Sequence, residues 1–431
     1  MHPFIAAVVV LCLAMVALPR PDLALVALLA IVPAAAIVDP DGATVPLLAA
    51  TAIGVVLFRM TLTGFRPRVH LGLILLIAFA VMWSYLMPQV AQTPDRSWGD
   101  LACLLTGLGV LAASAVVHPS PRSVACCVAG TGACAAGYLL IGGEYVADRL
   151  TGLGLNSNYL GAMLALALVA AVGLARLDRS WAWLLPALAC ALALLETRSR
   201  GAFLMAAAGL ACVLLVGRPM RQKVVITLTV LAVAMALPGT FDAVEDNLMG
   251  KRSSTELTAN TEVRMEAALL ALRVALDHPI RGIGYGGFPS YAHSPSALSI
   301  YINTHNDYLR LAAEAGVVTL ALFLALLWLG LCRRHAPDRV VLQSLCAAYA
   351  VGLLFANTLG NVVVTAPFWV SLGCLLAQAR RPHPGGASRG RPSGSTHAFP
   401  APQEAARRAS AYGPVGAGDR PSAETGAHAD K

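Results

Sequence analysis

Charged residues are scarce in this chain. Only 13% of its 431 residues are Asp, Glu, Lys or Arg, whereas 57% are hydrophobic. A soluble globular domain carries roughly 25% charged residues, so this composition excludes an ordinary soluble protein. Apolar runs of membrane-spanning length follow one another along most of the chain. The sequence therefore predicts an all-α polytopic membrane protein.

The sequence also lacks the cysteine and histidine patterns that are typical of disulfide-rich or metal-binding domains. All ten cysteines fall inside apolar runs and none forms a C-x-x-C pair, so they are interpreted as small packing residues. The long polar loop contains no clustered Asp, Glu and His at the spacing of metal ligands. We therefore expect no metal and no cofactor.

Hydrophobicity predicts 12 or 13 transmembrane helices and one large loop containing short helices. The predicted spans are 3–18, 22–38, 43–58, 71–87, 99–117, 122–142, 154–174, 181–196, 200–217, 223–238, 316–332, 339–357 and 362–379. The short connectors on one side are basic, as cytoplasmic connectors are; they contain Arg59/Arg66/Arg68, Arg176/Arg179, Arg218/Arg221/Lys223, Arg333/Arg334/Arg339 and Arg380/Arg381. The outer side then holds 88–98, 143–153, 197–200 and the long stretch from Leu237 to about Gly316.

Five parts follow from this reading of the chain. They are N-terminal transmembrane helices (1–142), helices carrying an arginine turn on the outer face (143–238), the large outer loop (239–315), C-terminal transmembrane helices (316–380) and a tail (381–431). The tail is rich in Pro, Gly, Ser and Ala, a composition typical of disorder.

The segment RGIGYGGF, residues 281–288, contains a literal G-x-G-x-x-G. A dinucleotide fingerprint must leave a strand and open a helix within a βαβ unit. Here the glycines lie in the outer loop, after a helix broken at His278-Pro279. We expect a compact turn in which the backbone closely approaches another segment, and no nucleotide site.

The segment TRSRG, residues 197–201, joins two predicted spans almost without a linker. Arg198 and Arg200 are thereby held at the outer membrane surface, where short loops disfavour arginine. Snorkelling side chains are one interpretation. Guanidinium groups bind phosphate oxygens bidentately and stay charged, which favours a lipid-linked phosphate or pyrophosphate.

The stretch 261–279 predicts an amphipathic helix that ends at Pro279. Its apolar positions are Met265, Leu269, Leu272 and Leu276, and its charged face carries Glu262, Glu266, Arg273 and Asp277. Arg264 lies elsewhere, among Ala268, Ala271 and Ala275. It either packs its stem there or reaches a partner.

The stretch 302–316 contains Thr304 and Asp307 at the spacing of a capping box. Thr304 is expected as N-cap and His305 as the first helical residue. The helix dipole would then lower the pKa of His305 and leave a neutral imidazole suited to general-base catalysis; the alternative is an interfacial histidine without a role. Arg310 and Glu314, spaced i,i+4, are expected to pair.

The stretch 148–161 opens a span on the same outer side. Arg149, Asn156 and Asn158 could line the same site. Asparagines at a helix start are equally explained as caps, so both interpretations stay open.

These segments, in this order, resemble the Wzy_C/O-antigen ligase family. The resemblance rests on TRSRGAFLMAAAGL, DHPIRGIGYGGFPSY and THNDYLRLAAEAG, which includes the H-x10-G pattern from His305 to Gly316. RLTGLGLNSNYLG is similar to a looser family segment, so the resemblance covers roughly residues 149–330. It implies a GT-C-like glycosyltransferase of the bacterial inner membrane with its active site on the periplasmic side.

The resemblance also implies roles for individual residues. Arg198, Arg200 and Arg264 would hold pyrophosphate, and His305 would act on the acceptor hydroxyl without a metal. Beside these residues, Arg149, Asn158, Asp307 and Gly316 are further candidates for supporting the site. The expected partners are an undecaprenyl-pyrophosphate-linked glycan donor, lipid A–core or another glycan acceptor, and membrane lipids, with no nucleic acid.

Several alternatives remain beside a ligase. A polymerase of the same superfamily would extend another repeat, a transporter or flippase would move the polyprenyl-linked glycan, and a scaffold would have no catalytic histidine. Within the enzyme class, Asp307, Glu262 or Glu266 could serve as the nucleophile of a retaining mechanism.

Overall fold

The computed structural model describes residues 20–38, 54, 69–87, 97–219, 221–222, 254–332 and 337–377. Most of this part of the chain is helical. The helices are α1 (Pro21–Val38), α2 (Val69–Leu86), α3 (Trp98–Val117), α4 (Pro121–Gly142), α5 (Ser157–Asp178), α6 (Leu184–Thr197), α7 (Arg200–Leu215), α8 (Ser254–Asp277), α9 (Phe288–His293), α10 (Asp307–Ala315), α11 (Val317–Leu331), α12 (Val340–Gly352) and α13 (Val362–Leu376). An antiparallel hairpin, β1 (Glu144–Val146) and β2 (Arg149–Thr151), joins α4 to α5.

The apolar helices are those of a helical membrane protein. Helices α3, α4 and α5 are long and apolar enough to cross a membrane, and α1, α2, α6, α7, α11, α12 and α13 are shorter apolar helices. The predicted span 339–357 is too long, because α12 ends at Gly352 and an irregular segment precedes α13. The predicted spans 3–18, 43–58 and 223–238 and the tail 381–431 lie outside the described residues.

Polar caps set the starts of the long helices. The side chains of Ser97 and Ser120 accept backbone N–H bonds at the starts of α3 and α4. The Asn156 side chain accepts the N–H groups of Asn158 and Tyr159 at the start of α5, which confirms the capping interpretation of Asn156.

Small residues let the central helices approach closely. Helix α5 packs against α4, α6, α7 and α12. A Cβ added at Gly132 would lie 2.1 Å from the Ala167 Cβ, and one at Gly209 would lie 2.5 Å from a Val169 methyl. Helices in a membrane gain their stability from such close packing, since lipid removes the hydrophobic drive between them.

The basic connectors in the described residues gather at one end of the bundle. Arg122 pairs with Asp178 at 3.1 Å, Arg176 donates to the Val216 carbonyl at 2.9 Å, and Arg339 donates to the Cys374 carbonyl at 2.8 Å. These contacts join the ends of α4, α5, α7, α12 and α13. The opposite end, called the site end below, holds the hairpin, the α6–α7 turn and helices α8 to α10. The charge pattern therefore predicted correctly that these connectors lie at the same end of the bundle.

Candidate functional site

Helices α8, α9 and α10 form a layer with its own small core at the site end. The core residues are Ala271, Val274, Ile283, Phe288, Ala292 and Ala313. Helix α8 contributes its alanine face, whereas Met265, Leu269, Leu272 and Leu276 remain 46–69% exposed. The apolar face predicted from the 3.6-residue period is therefore exposed in the structure, and the alanine face packs.

The glycine-rich turn packs backbone to backbone on the end of α10. The N–H groups of Ile283 and Gly284 donate to the carbonyls of Ala313 and Glu314, both at 3.0 Å. Gly282 has φ +63°, and a Cβ there would lie 2.4 Å from the Ala313 oxygen. This confirms the expected compact turn, and no βαβ unit occurs in the described residues.

The buried carboxylate of Glu314 also holds the glycine-rich turn in place. Glu314 is 0% exposed and accepts the N–H groups of Gly286 at 2.9 Å and Phe288 at 3.0 Å. Arg310 Nε donates to it at 3.0 Å, which confirms the i,i+4 pair. Arg310 Nη2 also reaches Asp100 Oδ2 of α3 at 2.6 Å. An ionic network thus ties the turn and α10 to the bundle.

The start of α10 differs from the predicted capping box. Asn306 is the N-cap and accepts the N–H groups of Tyr308 and Leu309, both at 3.0 Å. Helix α10 begins at Asp307, so His305 precedes the helix, with φ 52°. The prediction of Thr304 as cap was wrong, because the Thr304 hydroxyl bonds to the Asn306 carbonyl and to Asn357.

The pKa of His305 is nevertheless lowered, to about 4. Burial is the larger cause, and the positive charge of Arg264 is the second. The direction of the pKa shift was predicted, but its cause is not the helix dipole. His305 is therefore neutral at pH 7.

Arg264 is near enough to act on His305 electrostatically. At about 100° per residue, Arg264 lies on the same side of α8 as Ala271 and Ala275, which is the side that packs on the layer. Arg264 is exposed on this side of α8, and its charge acts on His305. This favours the interpretation that it reaches a partner.

The arginine turn is as tight as predicted. Helix α6 ends at Thr197 and α7 begins at Arg200. Arg198 occupies a left-handed position, with φ 48°, and is half-buried, whereas Arg200 is exposed. Two guanidinium groups thus lie at one turn at the site end.

Arg149 and Asn158 hold this turn in place. Arg149 donates from Nε to the Thr197 carbonyl at 3.0 Å and from Nη2 to Asn158 Oδ1 at 2.8 Å. The Ser199 hydroxyl donates to the same Asn158 oxygen at 3.2 Å. Both supporting residues therefore position the turn.

An irregular segment, 353–361, links the arginine turn to the histidine. The Tyr159 hydroxyl donates to the Asn357 carbonyl at 2.9 Å, and the Thr304 hydroxyl donates to Asn357 Oδ1 at 3.1 Å. Tyr159 follows Asn158, and Thr304 precedes His305. The sequence prediction missed Asn357, although polar residues interrupt the apolar run at FANTLGN, residues 355–361.

Asp307 holds the segment 353–361 from the other side. Its Oδ2 accepts the N–H groups of Thr358 at 2.6 Å and Leu359 at 3.0 Å. Burial raises the pKa of Asp307 to about 7, against the opposing charge of Arg310 and these hydrogen bonds. Asp307 is 1% exposed, and its hydrogen bonds fix this segment to the start of α10.

Gly316 positions the junction of α10 and α11. Its φ is +91°, and a Cβ there would lie 2.3 Å from the Ile280 carbonyl. The next residue, Val317, donates its N–H to the Pro279 carbonyl at 2.7 Å. Glycine is required here because any side chain would push the two segments apart.

No group of three or more His, Cys, Asp and Glu side chains in the described ranges is arranged to hold a metal ion. The features at the site end are a neutral histidine, a nearby arginine and a two-arginine turn. They define a helical membrane protein with a cationic site at one end of its bundle.

Residues 185–324 match the model of the Wzy_C family, which is described as O-antigen ligase. The matched segment contains the arginine turn, helix α8, His305 and the glycine-rich turn, whereas Arg149 and Asn158 precede it. This match confirms the resemblance to the O-antigen ligase superfamily seen in the sequence, over this segment of the chain. No curated protein matches the chain.

Proposed function

We propose that this protein is an O-antigen ligase-type glycosyltransferase. It moves a glycan from undecaprenyl pyrophosphate to a hydroxyl of lipid A–core, at the periplasmic face of the bacterial inner membrane. The observation that carries the proposal is the proximity of Arg264 to His305, at the same end of the bundle as Arg198 and Arg200. All four residues lie in the segment that matches the O-antigen ligase family.

His305 acts on the acceptor. Its neutral imidazole takes the proton from the acceptor hydroxyl as that oxygen attacks the anomeric carbon of the donor sugar. The new bond joins the acceptor oxygen to the anomeric carbon. The bond from the anomeric carbon to the pyrophosphate oxygen breaks, and its electron pair leaves with undecaprenyl pyrophosphate. This direct displacement inverts the anomeric carbon.

The arginines act on the leaving group. Arg198, Arg200 and Arg264 present preorganised cations to the negative charge that develops on the pyrophosphate. The first turn of α7 adds to this, because the Ser199 hydroxyl donates to Asn158 and makes no cap bond to that helix. Backbone N–H groups at a helix start favour an anion.

The main alternative is a polymerase of the same superfamily, in which the acceptor is another glycan repeat. Asp307 is less well supported as the nucleophile of a retaining mechanism, because it is buried and bonded to Thr358 and Leu359. A transporter is also less well supported. In the described spanning helices Asp, Glu, Lys and Arg occur only in the first and last turns, whereas transporters carry ionisable groups near the bilayer midplane.

Deletion of the gene distinguishes these functions. For a ligase we expect bare lipid A–core and long polymer accumulating on undecaprenyl pyrophosphate, both visible on gels of the two pools. Lipid A–core carrying a single repeat would indicate a polymerase. If neither pool changes, the acceptor is another glycan or a protein and the ligase proposal fails. Complementation with the wild-type gene is the control.

The pH dependence of transfer is a second test. Because the pKa of His305 is lowered to about 4, the histidine stays deprotonated well below the ordinary histidine pKa of about 6.5. We expect the acid limb of kcat/KM to lie below pH 6. In Arg264→Gln the repulsion is removed, so the pKa of His305 rises and the acid limb moves to higher pH. An acid limb near pH 6.5 in the wild type, or one that Arg264→Gln leaves in place, would contradict this assignment.

A further inference from the structure

Helix α8 has three separate faces, and one of them has no protein partner in the described part of the chain. The alanine face packs on α10, and the charged face carries Glu262, Glu266, Arg273 and Asp277. The third face, called the leucine stripe, consists of Met265, Leu269, Leu272, Leu276 and, just after the helix, Ile280. These side chains are 58, 52, 46, 69 and 78% exposed. A continuous exposed apolar surface of five large side chains marks an interaction site.

The leucine stripe continues directly into the surface of the apolar helix α11. The Val317 N–H at the start of α11 donates to the Pro279 carbonyl at 2.7 Å, so Ile280 lies beside the first turn of α11. Along α11, Val318, Leu324 and Trp328 are 52, 46 and 69% exposed. This helix is one of the shorter apolar helices of the bundle, and an exposed apolar face on such a helix is the surface that lipid covers in a membrane protein.

We propose that the leucine stripe is covered by the lipid bilayer, so that α8 lies along the membrane interface. From Met265 to Leu276 the stripe extends about 16 Å at 1.5 Å per residue. Interfacial helices bury their apolar face only about 5–10 Å deep. A helix standing out from the membrane would therefore leave most of the stripe in water, and a helix lying in the plane covers all of it.

The charged face of α8 fits this placement. The centre of this face is rotated by about 80° from the centre of the leucine stripe, so its side chains reach the water beside the headgroups. It carries three acidic residues and one arginine. Attraction to anionic lipids is therefore not the driving contribution, and apolar burial is.

The placement has a consequence for the site, which rests on the proposed function. Arg264 immediately precedes the stripe, so a helix in the interface holds this guanidinium at headgroup depth. A pyrophosphate attached to a polyprenyl chain lies at the same depth. The leucine stripe itself does not depend on the chemistry of the donor.

Site-specific photo-crosslinking tests the proposal. The photoreactive amino acid benzoyl-phenylalanine is placed at position 272 of the full-length protein, which is reconstituted in phosphatidylethanolamine–phosphatidylglycerol bilayers, irradiated and examined by mass spectrometry. Position 273, on the charged face, is the matched control, and position 324 on α11 is the positive control. We expect lipid adducts at 272 and 324 and none at 273.

Two outcomes would overturn the proposal. One is an adduct between position 272 and a second copy of the chain. The other is the absence of a lipid adduct at 272 while position 324 gives one. The result is independent of activity: lipid adducts at 272 in a protein whose deletion changes neither glycan pool would retain the interfacial helix and reject the ligase function.

Discussion

Replacing His305 by alanine is expected to reduce glycan transfer by roughly 10²–10⁴-fold, the usual contribution of a general base. The histidine is half-buried beside Arg264 and precedes α10, and that helix is capped by Asn306 and not by His305. The variant should therefore insert at normal levels. The measurement is transfer of lipid-linked glycan in isolated membranes, normalised to the amount of protein.

His293→Ala is the matched control for this experiment. His293 is an exposed histidine at the end of α9, in the same layer, and its ring contacts Tyr301. We expect this variant to keep its activity. Full activity of His305→Ala at normal membrane levels would reject the site assignment and favour a scaffold. If His305→Ala is poorly inserted, His305→Gln, which keeps the size and polarity of the side chain, is measured instead.

Replacing Arg310 by methionine is expected to cost the protein about 3–5 kcal/mol of stability, the usual effect of breaking a buried ion pair. Arg310 bonds Glu314 at 3.0 Å and Asp100 at 2.6 Å, and the Glu314 side chain is 0% exposed. Without the arginine, Glu314 would be left as a buried charge without a cation, and the glycine-rich turn that it holds would loosen. Thermal unfolding of the purified protein in detergent measures the loss.

Arg122→Met is the control, because it breaks an ion pair at the opposite end of the bundle. The Arg122 side chain is 64% exposed, and surface pairs contribute little to stability. Adding Glu314→Gln to Arg310→Met should restore part of the lost stability, since the amide removes the unpaired charge and still offers a carbonyl to the turn. Equal unfolding temperatures for Arg310→Met and Arg122→Met would show that the buried network does not stabilise the fold.

Features set by neighbouring residues were predictable from the sequence. The apolar runs located the described apolar helices, three of which are long enough to cross a membrane, and the basic connectors identified which helix ends lie together. The tight turn at Arg198 and the pair of Arg310 with Glu314 were also predicted, because each depends on residues at most four positions apart. The close backbone approach of the glycine-rich turn was also expected, because only glycine has no side chain that would block it.

Two local features of the site end depend on a choice between partners that the sequence leaves open. Thr304 has the spacing of a cap, but Asn306 caps the helix because Asn357, more than fifty positions along the chain, engages the Thr304 hydroxyl. The leucines of α8 have the period of a packed face, but the alanines pack. Hydrophobicity indicates the buried face only where the surroundings are water, and next to a membrane an apolar side chain is equally stable facing lipid.

The site could therefore be predicted only in part from the sequence. Residue types alone indicated a membrane protein with arginines and a histidine on one side, because charge and hydrophobicity are properties of each residue in its local run. The tertiary structure brought Arg264 to His305, Asp100 to Arg310 and Asn357 to Thr304. Those pairings depend on which helices pack together, and side-chain partners distant in the chain are chosen by packing and burial that no local pattern encodes.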